Sequence, residues 1–172
     1  MAALACAAAW AAATARCEMA QVEAAFTPGD NIAAMIIQRI GEAHQSVRMQ
    51  AYLFTDRRIA DARVAARRRG VRVEVIVDAA QREGGGAPHL AALQRAGARI
   101  FVDGSAAAAH NKIIIIDADG PHPAVITGSY NYTRAANARN AENVVIISGS
   151  PGVAGRFVSN FEYHRSQSTP WP

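Results

Sequence analysis

Hydrophobic positions change their period several times along this chain. Behind Asp30, a residue suited to capping a helix start, Ile32, Ile36, Ile37 and Ile40 recur at helical spacing. Gly41 and the polar stretch "EAHQS" predict that this helix fades by about residue 45. "VRMQAYLF" (47–54) sets Val47, Met49, Ala51 and Leu53 against Arg48, Gln50, Tyr52 and Phe54, the alternation of a strand. Thr55 or Asp56 can cap a second helix running to Arg69, with Gly70 as its stop. "VRVEVIVD" (71–78) is rich in β-branched residues and predicts another strand. "QREGGG" predicts a loop that is mobile or hugs a ligand, and a short helix over 87–95 and a strand over 99–102 follow.

"DGSAAAA" then delivers the chain to His110. Ile113 to Asp117 does not alternate, so it predicts a strand buried on both faces. "ADGPHP" turns the chain, "AVIT" returns as a hairpin partner, and "GSYNYTRAANARN" reads as a long polar loop. "ENVVII" (142–147) predicts a further buried strand, and Pro151 opens a last helix through His164 with Val153, Phe157 and Phe161 on one face. Strands alternate with helices. The predicted class is therefore α/β, a central mixed β-sheet flanked by helices on both faces.

Composition changes this picture at one end only. "MAALACAAAWAAATARCEMA" is dominated by alanine, with Arg16 and Glu18 its only charges, and is too short and too alanine-rich for a membrane span. It reads as a secretory signal peptide with "ATA" before a candidate cleavage point, the alternatives being a disordered or misassigned start. The expected organisation is a leader over 1–20 and a single domain over 21–172, bound for the periplasm or the exterior. Both cysteines, Cys6 and Cys17, fall in the leader, so no disulfide can support the domain. A net charge of +4 draws the chain modestly toward polyanions.

The candidate chemistry gathers around the apolar strand. His110 and Lys112 stand at its start, two residues apart, and a pleated backbone points them the same way while Asn111 points oppositely. That is the geometry needed for both to reach one anion. Gly128-Ser129-Tyr130-Asn131 follows the hairpin partner, and Glu142-Asn143 precedes the next strand.

"HNKIIIID" followed by "GSYN" resembles the H-x-K-x₄-D and G-S-x-N signature of the phospholipase D superfamily. "ARNAENVVII", "SVRMQAYLFTD" and "ARRRGVRVEVIVD" are similar to segments of its small bacterial endonucleases, and the likeness runs over roughly residues 26 to 164. One departure stands out. Ten residues separate Asp117 from Gly128, more than that family usually shows, but the extra length falls at a turn, where insertions cost little.

The resemblance implies a role for each matching residue. His110 would attack a phosphodiester and form a covalent phosphohistidine, since a neutral imidazole approaches an anionic ester better than an anionic nucleophile does. Lys112 and Asn131 would donate to the non-bridging oxygens, with the Ser129 hydroxyl added to them. Glu142 would accept from the second ring nitrogen of His110 and fix its tautomer. Asp117 and Gly128 would be structural members of the motif. The mechanism in this family uses two copies of the motif and this chain has one, so the resemblance implies a homodimer with two His110 side chains across one phosphate.

The expected function is a metal-independent, non-specific endonuclease acting on DNA or RNA, with no cofactor. Alternatives are a phospholipase D acting on phosphatidyl lipids with the same residues, and a nucleic-acid-binding module whose catalysis has lapsed. No H-E-x-x-H, cysteine pair or carboxylate cluster marks a metal site, and His44, His89, His122 and His164 read as surface or capping residues. The run Arg57, Arg58, Arg63, Arg67, Arg68, Arg69 and Arg72 suits either phosphate contacts or a solvated helix face.

Overall fold

A computed structural model of the chain describes residues 19–172. Residues 1–18, with Cys6 and Cys17 and nearly all of the predicted leader, lie outside the described residues. The strands are β1 (Gln21–Thr27), β2 (Ser46–Ala51), β3 (Arg72–Asp78), β4 (Arg99–Asp103), β5 (Lys112–Ile116), β6 (Ala124–Gly128), β7 (Glu142–Ser148) and β8 (Thr169–Pro170). The helices are α1 (Ile32–Gly41), α2 (Arg57–Arg68), α3 (Ala87–Arg95), α4 (Arg134–Ala138) and α5 (Pro151–Gln167).

All eight strands form one sheet in the order β1-β7-β6-β5-β2-β3-β4-β8. The β2-β3-β4 run is parallel and every other pairing is antiparallel, so the sheet is mixed as expected. Helices α1, α2 and α3 bury Ile32, Ile36, Ile40, Ile59, Leu90 and Leu93 in the larger core on one face. Helix α5 buries Ala154 and Phe161 on the other. The isoleucine run of β5 explains itself here. Ile114 and Ile116 enter the first core, Ile113 and Ile115 the second, and a central strand covered on both faces has no polar face to show.

Several boundaries depart from the sequence reading. Asn31, not Asp30, caps α1: its side chain accepts from the N–H of Ala34, while the Asp30 carboxylate accepts from the N–H of Phe26. Asp56 caps α2 as predicted. Strand β1 was not expected, because its sequence "QVEAAFT" is an edge segment with most side chains in solvent and no regular alternation. "QREGGG" is anchored rather than loose. Gln81 is buried and its Oε1 accepts from the N–H of Phe54, and a Cβ on Gly86 would collide with the Phe54 carbonyl. The supposed polar loop after Gly128 contains α4 and buries Tyr130 and Tyr132.

Arg63 is the largest fully buried side chain. Its guanidinium lies 5.3 Å from the Phe54 ring centroid and 5.8 Å from that of Tyr132, and Nη1 donates to the Ile59 carbonyl at 3.0 Å. Among the described residues Nε and Nη2 have no partner, and burial pulls the group down to about 10. Two cation–π contacts offset only part of the desolvation of an unpaired charge. Arg63→Met is therefore expected to stabilise the fold by about 1–3 kcal/mol, as replacing buried charges by apolar side chains often does. A urea midpoint at or below that of the wild type would contradict this.

Candidate active site

Antiparallel pairing brings the scattered motif to one end of the sheet. The start of β5 lies beside the ends of β2 and β6, with Ala51 opposite Lys112 and Thr127 opposite Ile113. The end of β6 meets the start of β7, with Gly128 opposite Val144. His110, Lys112, Ser129 and Asn131 consequently line one open hollow of about 260 Å³.

Lys112 is almost buried, and its Nζ sits 3.0 Å and 3.1 Å from the two ring nitrogens of His110 while donating to the His110 carbonyl at 2.8 Å. The predicted common direction of the two side chains holds. Tyr52, which the sequence reading passed over as an ordinary strand residue, packs against the pair. Its ring centroid is 4.4 Å from that of His110 and 5.1 Å from Lys112 Nζ. An aromatic face beside an ammonium favours the charged form.

Burial nonetheless pulls the Lys112 ammonium below the ordinary lysine range, with the Glu142 carboxylate acting in the opposite sense. If turnover relies on this cation, activity falls as pH rises through the lowered value. The alkaline limb of kcat/KM is thus expected below the usual lysine range, and Lys112→Arg is expected to shift it upward. An unmoved limb in Lys112→Arg would assign it to another group.

Glu142 does not meet His110. Its Oε2 accepts from the Ser129 hydroxyl at 2.6 Å and its Oε1 from Asn140 Nδ2 at 2.9 Å. This corrects two expected roles. Within one subunit the carboxylate does not reach the His110 ring, and the Ser129 hydroxyl donates to Glu142 rather than standing free for a phosphate. Ser129 also accepts from the N–H of Asn143 at 3.1 Å, so it ties the start of β7 to the end of β6. Asn131 keeps its expected place in the hollow. Its buried Oδ1 has no partner, and half a turn of the amide exchanges that oxygen for the Nδ2 donor.

Asp117 is structural, at the far end of β5. Its carboxylate accepts from the backbone N–H groups of His44, Gln45 and Ser46 at 2.7–2.8 Å, fixing the entry to β2. The extra residues before Gly128 leave from this same end. Asp119 there pairs with Arg48 and Arg72, so the insertion lies a strand's length from His110. Gly128 has φ +156, and a Cβ on it would overlap the Asn143 carbonyl.

The arginine run is mostly structural. Arg57 pairs with Asp61 and Arg58 with Asp56; Arg67 and Arg69 donate to backbone carbonyls of Val71, Ile40 and Ala43. His164 departs from the surface reading. Its Nδ1 is 2.7 Å from Asp103 Oδ2. Burial pushes the Asp103 carboxyl up, but Ser105 and His164 outweigh it and hold the group below its usual range. No sequence spacing joins Asp103 and His164, which are 61 positions apart and meet where α5 packs over the end of β4.

A histidine against an ammonium, with an amide across an open hollow at the strand ends of a mixed sheet, makes an α/β protein whose cleft can take one anion. Comparisons sharpen the class. The family described as "Cardiolipin synthase, PLD-like domain" matches residues 36–165. A phospholipase D of Rickettsia felis is 41% identical over 127 residues, which cover 74% of this chain and 61% of the relative. The crystal structure of Nuc from Salmonella typhimurium, titled a phospholipase D family member, superposes with a TM-score of 0.83 at 30% identity, covering 89% of this chain and 99% of that one. NucT from Helicobacter pylori shares the fold, with a TM-score of 0.78 at 20% identity over 89% of this chain and all of that one. The chain belongs to the phospholipase D superfamily. It spans about three-fifths of the length of the phospholipase D relatives.

Proposed function

We propose that the protein is a metal-independent phosphodiesterase and that its substrate is nucleic acid, cleaved non-specifically in DNA or RNA. The observation that carries the chemistry is the His110–Lys112 contact at the mouth of an open hollow. The imidazole nitrogen bonds to phosphorus as the P–O bond to one alcohol breaks, giving a phosphohistidine. Lys112 and Asn131 meet the charge gathering on the non-bridging oxygens. Water then attacks phosphorus, the P–N bond breaks, and a phosphomonoester leaves.

The departing alkoxide needs a proton, and a second subunit supplies it in this reading. Two copies related by a two-fold axis bring their His110 side chains to one phosphate, one neutral and one protonated. Protonated His110 of the second subunit gives its proton to the alkoxide and takes one back from the attacking water. Exposed Val22 and Phe26 on the edge strand β1 offer apolar area for such pairing, next to β7 and its Glu142.

Nucleic acid is favoured by the net positive charge and by Arg134 and Arg139. Both are exposed on the segment that follows Asn131, and neither joins a salt bridge among the described residues. The second reading is phosphatidyl-lipid hydrolysis, which the name of the Rickettsia relatives supports. Plasmid, single-stranded DNA, RNA and phosphatidylcholine vesicles, each incubated in EDTA, separate the two. Cleavage of nucleic acid in the chelator, with the vesicles untouched, is the expected result. Activity lost in EDTA and restored by magnesium or zinc would refute the metal-independent mechanism, and headgroup release alone would install the lipid reading.

A further inference from the structure

His110 lines two hollows. The second, of about 240 Å³, lies on the α5 side of the sheet, between the ends of β2 and β3, the β4–β5 loop and α5. A phosphate held at His110 therefore has this space beside it, within reach of a group esterified to it. Its walls explain which group fits.

The hollow holds no uncompensated charge. Asp103 lines it, but one carboxylate oxygen is taken by His164 at 2.7 Å and the other by the Ser105 N–H and hydroxyl at 2.9 Å and 2.6 Å. A cationic headgroup such as choline or ethanolamine would find no open anion. The polar edge offers instead a neutral amide acceptor. Asn111 gives one Nδ2 hydrogen to Gln50 Oε1 at 3.0 Å, and Gln50 in turn donates to Asn160 of α5, leaving Asn111 Oδ1 open. His164 commits Nδ1 to Asp103. Ala51, Ile76 and Ala108 supply apolar walls. The space is below the roughly 300–1,000 Å³ of pockets for drug-sized ligands and suits one planar heterocycle.

We infer that this hollow is a base subsite: it takes one nucleobase carrying an exocyclic amino group, from the nucleotide flanking the phosphate at His110. The inference rests on the nucleic-acid reading and refines it: no recognition sequence is needed, but one kind of base is preferred beside the cleaved phosphate. An amino hydrogen of cytosine or adenine would meet Asn111 Oδ1, whereas the carbonyl of thymine in the same place would set acceptor against acceptor. Entry requires a base that is unstacked, as in a single strand. Backbone anchoring keeps the site in shape, since the N–H of Ala109 donates to Asp78 Oδ2 at 2.7 Å.

The test compares 12-residue oligo(dC) and oligo(dT) at neutral pH with the wild type, Ala108→Trp and Ala107→Trp. Ala108 is exposed and lines the hollow; Ala107 is its exposed neighbour outside it. Both lie on a surface loop, and melting curves check that the variants are folded. The wild type is expected to cut oligo(dC) about tenfold faster than oligo(dT) in kcat/KM. Ala108→Trp should erase that difference by lowering oligo(dC) more than oligo(dT), and Ala107→Trp should change neither. Equal rates on both substrates in the wild type, or an equal loss on both in Ala108→Trp, overturns the subsite while the nuclease reading stands. A wild type that cuts neither oligonucleotide yet releases headgroup from phosphatidylcholine overturns both.

Discussion

His110→Ala is expected to lower phosphodiester hydrolysis by at least about 10³-fold, roughly 4 kcal/mol of barrier, because the substitution removes the atom that bonds to phosphorus. Lys112 and Asn131 remain to bind the phosphate, so the loss should fall on kcat more than on KM. The second subunit makes a sharper test. When wild-type and His110→Ala chains are refolded together, a mixed dimer keeps one imidazole and loses the proton carrier, which general acid–base catalysis values at about 10²–10⁴-fold. Activity should then fall as the square of the wild-type fraction. Quenching in alkaline detergent during turnover, where the P–N bond survives, should trap one phosphohistidine per wild-type dimer. A linear fall with mutant fraction, or two labelled histidines per dimer, would show that each subunit completes the reaction alone. Cleavage unchanged in His110→Ala would remove the nucleophile assignment itself.

The two imidazoles of such a pair have identical sequences and unequal states. Their titrations are therefore coupled, and a bell-shaped rate profile belongs to the pair rather than to either ring.

How far the sequence revealed all this depended on whether the deciding contact was local. The doubly buried β5 was legible because a run of isoleucines admits no solvent face, and the Asp56 cap of α2 because capping needs only its next residues. The shared direction of His110 and Lys112 followed from the pleat alone. The contacts of Glu142 within the chain were not legible because its partners are set by pairing across strands. The register of β6 against β7 places Ser129 within reach of it, and Asn140 enters from the chain just before. No spacing rule carries that information. The same holds for Tyr52, whose alternation in "VRMQAYLF" said strand, yet β2 ends at Ala51 and releases the ring toward His110. Strand β1 was missed because an edge strand needs only a partner's free hydrogen-bonding edge, not an apolar face of its own.

The cross-strand dependence of the site gives Gly128→Ala the largest structural effect. Gly128 ends β6 at φ +156, a conformation that residues with a Cβ rarely adopt. An added methyl would overlap the Asn143 carbonyl and stand 2.9 Å from Val144 Cα, both backbone atoms that cannot swing aside. That same carbonyl accepts from the N–H groups of Ser129 and Tyr130 at 3.1 Å and 3.3 Å. Relief of the clash must part β6 from β7 where Ser129 holds Glu142, so stability and site geometry fail together. Overpacking costs about 1–3 kcal/mol and the backbone strain a further 1–3 kcal/mol. At about 2–4 °C per kcal/mol for a chain of this size, the melting temperature should drop by roughly 10 °C. Gly41→Ala is the control, since nothing lies within 4 Å of a Cβ there, and it should melt within about 1–2 °C of the wild type. Assayed well below its melting point, folded Gly128→Ala should still have lost most of its kcat, because Asn131 and the Ser129–Glu142 link move away from Lys112. A variant that melts with the wild type and turns over normally would mean that the β6–β7 junction is free to adjust, and that the close approach at Gly128 does not hold the site together.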